Sequence, residues 1–225
     1  MSREPPPESA PTAARRIRYG SRVISYGPAD ALIVVDLQND FADPAGALSV
    51  AGGDGIVSFV NAQVRAARAA GALVTYTQDW HPEHTPHFAQ DGGIWPVHCV
   101  RNTWGAALHP DLDVAGPIVR KGSNGEDGHS GFTMRDPDSG ATAATELEGL
   151  LRGRDVRRVV VCGLATDYCV LATALDAAGL GFETAVLLDG VRAVDLQPGD
   201  GAAALERLAA AGVALIGGAM AVQSG

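Results

Sequence analysis

Cysteine is scarce in this chain, with three in 225 residues. So few, and an odd number, do not make a disulfide framework in a chain of this length; reduced thiols in a reducing compartment are the simpler reading. Long apolar runs are missing as well. Those at 31–35 and 159–161 fall far short of the ~20 residues that span a bilayer. No apolar stretch of signal-peptide length follows Pro5, Pro6 and Pro7 or Arg15, Arg16 and Arg18. A cytoplasmic protein is expected. A basic surplus is the third absence: the formal net charge is -9. Nucleic acid and anionic membranes both require a basic surface, so neither is an expected partner. A small neutral substrate stays open.

What is present suits a soluble enzyme, 46% hydrophobic and 19% charged. A chain this long buries roughly 70% of its unfolded surface, so neither disulfides nor an oligomer is needed to build a core. A homo-oligomer is compatible with the sequence but not written in it. Residues 1–28, rich in Pro, Ala, Ser and Arg, read as a flexible extension, and 29–225 as one domain. Within the domain, β-branched runs alternate with amphipathic stretches. Strands are expected at 31–36, 72–77, 117–120, 158–162, 182–188 and 213–216. Helices are expected at 54–70, where Ile56, Phe59, Val60 and Val64 keep helical spacing, and at 142–151, 166–180 and 201–211. This alternation predicts an α/β fold: three layers, α/β/α, around a mostly parallel central sheet.

Open α/β sheets bind ligands beyond the carboxyl ends of their strands. Asp36 ends the first strand; Asp79 ends the second, with Trp80 and His81 following; Lys121 ends the third; Cys169 lies a few residues past the fourth. Each has a bland reading alone. Asp36 suits a turn or cap, Lys121 a solvated surface, and a helical cysteine a small buried hydrophobe. Cys169, however, falls in a helix's first turn, where free N–H groups and the dipole favour thiolate. Cys162, inside an apolar strand, reads as core.

A second constellation is Asp79, His81, His84, His87 and His98. Four of the six histidines fall between 81 and 98, in a region dense in Pro, Gly and Trp. Loops that long are uncommon and usually functional. A carboxylate with several imidazoles suits Zn, Fe or Mn. Spacing alone does not say which histidines bind, and solvated loop histidines are the alternative. Phe41 and Trp95 flank these segments, as plain core or as walls for a flat ring.

These segments together resemble the nicotinamidase/pyrazinamidase branch of the isochorismatase-like cysteine hydrolases, from about residue 31 to 218. The likeness is carried by Val35-Asp36-Leu37-Gln38-Asn39-Asp40-Phe41, Gln78-Asp79-Trp80-His81-Pro82, Trp95-Pro96-Val97-His98-Cys99, Arg120-Lys121-Gly122 and Gly163-Leu164-Ala165-Thr166-Asp167-Tyr168-Cys169-Val170, in the family's order. The resemblance implies nicotinamide as substrate, hydrolysed to the acid and ammonia through a thioester, with pyrazinamide alongside. It implies a triad of Asp36, Lys121 and Cys169, and a cis peptide between Leu164 and Ala165. The oxyanion would face the N–H groups of Ala165 and Cys169. It further implies one divalent metal ion held by Asp79, His81, His87 and His98, with the pyridine ring between Phe41 and Trp95 and beside Leu164. His87 is preferred to His84 because it precedes Phe88. One departure is His129, in His129-Ser130-Gly131-Phe132, where relatives commonly carry Tyr; an effect at the pocket rim is expected.

Other readings stay open. A metal-independent cysteine amidohydrolase of the same superfamily would keep the triad, but the Asp/His set speaks against it. Isochorismatases proper lack the cysteine. A metallohydrolase with Cys169 as bystander and a non-catalytic metal-binding protein complete the alternatives.

Overall fold

The computed structural model describes residues 24–217, so residues 1–23 of the expected extension lie outside the described residues. Its six-stranded sheet is parallel throughout: β1 (Asp30–Val35), β2 (Leu73–Asp79), β3 (Ile118–Lys121), β6 (Arg158–Leu164), β7 (Glu183–Arg192) and β8 (Ala214–Ile216). The spatial order is β3-β2-β1-β6-β7-β8. A short antiparallel pair, β4 (Thr133–Arg135) and β5 (Thr142–Ala144), stands apart.

Every residue of β1 is buried, which is why its apolar run shows no alternation. Leu32 and Val34 pack with Val57, Val60, Val64 and Ala67 of α2 (Val57–Ala69) on one face. Ala31, Ile33 and Val35 face the opposite core, with α3 (Leu147–Arg152), α4 (Leu171–Gly179) and α5 (Asp200–Ala210). The expected three-layer architecture with a parallel sheet is the one observed. A short helix, α1 (Asn39–Ala42), follows β1.

Three local expectations are corrected. Residues 142–151 are not one helix. Thr142–Ala144 pairs with Thr133–Arg135, and Thr145 donates its N–H to the Phe132 carbonyl, so only Leu147 onward is free to coil. Tertiary pairing overrides helix propensity there. β7 runs on to Arg192 through Asp189-Gly190, with a register shift against Val161–Gly163. Finally, Thr166–Val170 is a π-turn, with α4 beginning only at Leu171.

The chain leaves β1 towards β2 on one side and reaches β6 on the other. The topological switch point therefore lies between β1 and β6, where an α/β sheet opens a crevice at its carboxyl edge. Gly163 holds the two strands close there: its φ is +115°, and a Cβ would run into the Val35 backbone.

Candidate active site

Asp36 turns the chain out of β1 with φ +44°, an uncommon conformation for a side chain other than glycine. The turn sends its carboxylate into the interior, fully buried. Oδ2 lies 3.0 Å from Lys121 Nζ, and Oδ1 accepts a 2.6 Å hydrogen bond from the Thr77 hydroxyl. The same hydroxyl accepts the Asp36 N–H at 3.2 Å. Lys121, 1% exposed, also pairs with Asp79 and approaches Cys169 Sγ at 3.6 Å. Polar atoms of Asp36, Asp79 and Cys169 all lie within 4.8 Å of one another. The structure thus gathers the three residues of the expected triad around one ammonium.

The electrostatics follow from burying two carboxylates, a thiol and a single cation together. Burial pushes the Asp36 carboxyl up, against the pull of Lys121. Burial acts the same way on Asp79, but there Lys121 prevails and holds the carboxyl well below its usual range. Desolvation opposes the charge on Lys121, yet Asp36 and Asp79 outweigh it and hold the ammonium protonated. The Cys169 thiol is pushed well up by burial, with Lys121 opposing and Asp36 reinforcing. The expected help from a helix start is replaced by this local balance. Cys169 sits in the π-turn, and the Ala165 carbonyl accepts the N–H groups of Tyr168 and Val170 on either side of it. The Leu164–Ala165 peptide is cis.

Beside this group lie His81, His87 and His98, with a ring nitrogen of each within 4.8 Å of the others. His84 does not join them: its side chain is 74% exposed and bonded to Asp91 at 3.1 Å. Asp79 links the two groups, one oxygen towards Lys121 and the other 3.8 Å from His81 Nε2. His98 directs Nδ1 to the Pro96 carbonyl at 2.7 Å, leaving Nε2 as the free ligand atom. Burial brings its pKa down to about 4, so the ring is neutral at pH 7. His87 uses Nδ1 to meet Asp127 at 3.0 Å. His81 is 3% exposed, yet neither of its ring nitrogens has a hydrogen-bond partner among the described residues. It is backed by Gly122 (φ +75°), where a Cβ would press on the ring at 2.6 Å. Three imidazoles with nitrogens facing one another, two of them held by outward bonds on Nδ1, fit a divalent metal.

Both groups open into one cavity, whose walls include Phe41, Trp95, Leu164, Ala165 and Cys169. Phe41 lies against His98, and Trp95 meets Tyr168 edge-on at 5.0 Å. His129, expected at the rim, instead lies in the wall with Nδ1 3.9 Å from Cys169 Sγ.

Sequence reasoning missed several supporting groups. Gln38 takes the Asp79 N–H and donates to the Asp79 carbonyl, each at 2.8 Å, fixing the end of β2. Asp40 accepts the N–H groups of Ala47 and Cys99, tying α1 to the histidine loop. Both lie in the quoted Asp36–Phe41 motif, which was the available signal. Thr77 and Asp127 carried none.

The isochorismatase domain model matches residues 30–220. The chain belongs to the isochorismatase family. Among its relatives, the nicotinamidase of Escherichia coli (strain K12) is 39% identical over 206 residues, covering 84% of this chain and 94% of that protein. The crystal structure of the pyrazinamidase of Pyrococcus horikoshii in complex with zinc is 43% identical, with a TM-score of 0.74, covering 84% of this chain and 98% of that one. PnC1 from L. infantum, in complex with nicotinate, is 38% identical at a TM-score of 0.76, covering 85% and 94%. Among the described residues, no helix is long and apolar enough to cross a membrane.

Proposed function

We propose that this isochorismatase-family protein is a nicotinamidase, an amidohydrolase that converts nicotinamide to nicotinate and ammonia and accepts pyrazinamide. The observation that carries the proposal is a thiol, packed against a buried lysine and carboxylate, that lines one aromatic-walled cavity with three mutually facing imidazoles. Nicotinamidase relatives at 39% and 37% identity support the same substrate.

In this reading Cys169 is the nucleophile. Its thiol proton passes to Asp36, whose burial makes it a stronger base than an ordinary carboxylate. The sulfur bonds to the carboxamide carbon, and backbone N–H groups of Ala165 and Cys169 receive the oxyanion; such donors are worth ~2.7–4 kcal/mol each. Asp36 returns the proton to the departing nitrogen, the C–N bond breaks, and ammonia leaves a thioester. Water then adds to the thioester carbon, the C–S bond breaks, and the thiol is restored. Lys121 stays charged throughout and holds Asp36 and Cys169 in position.

Asp79, His81, His87 and His98 would hold one divalent metal, Zn, Fe or Mn. When bound, it supplies a Lewis-acid anchor that positions and polarises the pyridine ring. Phe41, Trp95 and Leu164 would flank that ring. The metal-independent alternative leaves the two idle nitrogens of His81 without purpose. A cytoplasmic setting accords with three free cysteines.

The test is ammonia release from nicotinamide and pyrazinamide by metal-loaded protein, before and after chelation, with Cys169→Ala as control. Turnover lost on chelation and abolished in the variant is expected. No turnover of either amide would retire the substrate assignment, and near-full activity of Cys169→Ala would retire the cysteine route.

A further inference from the structure

His129 is a half-buried, uncommitted polar group at the nucleophile. Its loop, between β3 and β4, is pinned on both sides. Asp127 and Arg135 exchange backbone hydrogen bonds of 2.7 and 2.6 Å, and Gly131 donates its N–H to the Thr173 hydroxyl at 2.9 Å. The imidazole is held edge-on between two aromatic neighbours: Tyr168 with centroids 5.2 Å apart and Trp95 at 6.3 Å. Among the described residues, its ring has one hydrogen-bonding partner, Cys169 Sγ, 3.9 Å from Nδ1. The polar side chains nearest the thiol are engaged elsewhere, Asp36 by Thr77 and Lys121, and Lys121 by both carboxylates.

The geometry has a chemical consequence once a substrate is attached. The reacting carbon sits one bond from Sγ and carries three other groups: the ring, the oxyanion and the amide nitrogen. The ring belongs towards the aromatic walls, and the oxyanion towards the Ala165–Cys169 turn. A group 3.9 Å from Sγ, on the loop side, is within hydrogen-bonding reach of the remaining nitrogen. A neutral imidazole carries one ring nitrogen with a free lone pair.

We propose that His129 is a specificity-determining residue for the leaving group: Nδ1 accepts a hydrogen bond from an N–H of the carboxamide nitrogen, selecting primary amides over esters of the same acid. This rests on the amidase reading above. In the resting enzyme Nδ1 faces the sulfur at 3.9 Å, while the thiol proton is directed to Asp36. When sulfur attacks, the substrate N–H engages Nδ1, and the bond persists until ammonia departs with the proton supplied by Asp36.

The experiment compares kcat/KM for nicotinamide with that for methyl nicotinate, whose leaving group carries no N–H. It uses the metal-loaded wild type, His129→Phe and His129→Asn. The amide-to-ester ratio is internal to each preparation, so partial loss of folded protein cancels. His129→Phe, which keeps an aromatic wall but no acceptor, is expected to lower the ratio about tenfold, the equivalent of one hydrogen bond. His129→Asn, which restores an acceptor, is expected to recover part of it. Inhibition by nicotinate, which has no N–H to donate, should not weaken in His129→Phe. A ratio unmoved in His129→Phe, whether both rates fall together or neither falls, overturns the role of His129 while leaving the amidase assignment standing. Wild type inert towards nicotinamide would instead remove the assignment itself, and this inference with it.

Discussion

Thr77 shows how much of the site depends on a residue with no chemistry of its own. A threonine inside a strand reads as β-branched filling, and nothing in the sequence separated it from Thr75. In the structure its hydroxyl bonds both the carboxylate and the N–H of Asp36. Thr77→Val preserves shape and removes both bonds, so a loss of ~1–3 kcal/mol is expected in denaturant unfolding. The same hydrogen bond also lowers the Asp36 pKa. Its removal favours the protonated acid, and the acid limb of the kcat/KM profile should move to higher pH. An unmoved limb would mean that Asp36 does not govern it. The cysteines differ in a comparable way. Cys162 is fully buried and pushed up to about 12, and Cys99 is fully buried as well, whereas Cys169 lines the cavity. A haloacetamide should label Cys169 first by mass spectrometry. Because burial and Asp36 hold that thiol above its ordinary range, labelling should accelerate as pH rises. Equal labelling of Cys162 would contradict an accessible nucleophile.

Elements were legible wherever apolar periodicity was the whole story. The strand end bearing Asp36 could be read because a fully buried parallel strand leaves an uninterrupted apolar run, and those bearing Asp79 and Lys121 from shorter β-branched runs. The β4–β5 pair could not, because Thr142–Ala144 is exposed and owes its form to a partner seven residues or more away. That hairpin matters to the site. Arg135 on β4 bonds Asp127 at 3.0 Å, and Asp127 in turn fixes His87. The His87 bond, aided by Arg135 and the Gly128 N–H, holds the Asp127 carboxyl well below the usual range despite partial burial. Such a carboxylate sets which imidazole nitrogen faces a metal, and loss of such a partner costs roughly 10–100-fold in affinity. Asp127→Ala should therefore weaken metal binding by about that factor, measured by competition with a chromophoric chelator. Affinity equal to wild type would leave His87 without a role for this bond.

At the scale of the whole molecule, the fold concentrates its least favourable interactions at one edge. Along β1 and β6 the interior is apolar and closely packed. Beyond their carboxyl ends lie a buried lysine between two carboxylates, a left-handed Asp36, and a histidine with neither nitrogen hydrogen-bonded among the described residues. Chain order told that these groups share a rim; it did not tell that Asp79 would divide its oxygens between Lys121 and His81, because that depends on distances across three strands. Buried groups left unsatisfied cost stability, and a ligand that engages them returns it. Metal at about 100 times its Kd adds about 2.7 kcal/mol to a folded state that alone binds it. For a domain of this size that corresponds to roughly 5–11 °C in Tm. Chelated protein should melt lower by about that interval and recover on addition of Zn, Fe or Mn. His98→Ala should melt independently of metal, since it removes one of the three facing nitrogens. An identical Tm for chelated and metal-supplied wild type would mean that the histidine cluster binds no metal at these concentrations, and the metal-independent amidohydrolase would then be the better account of the same thiol.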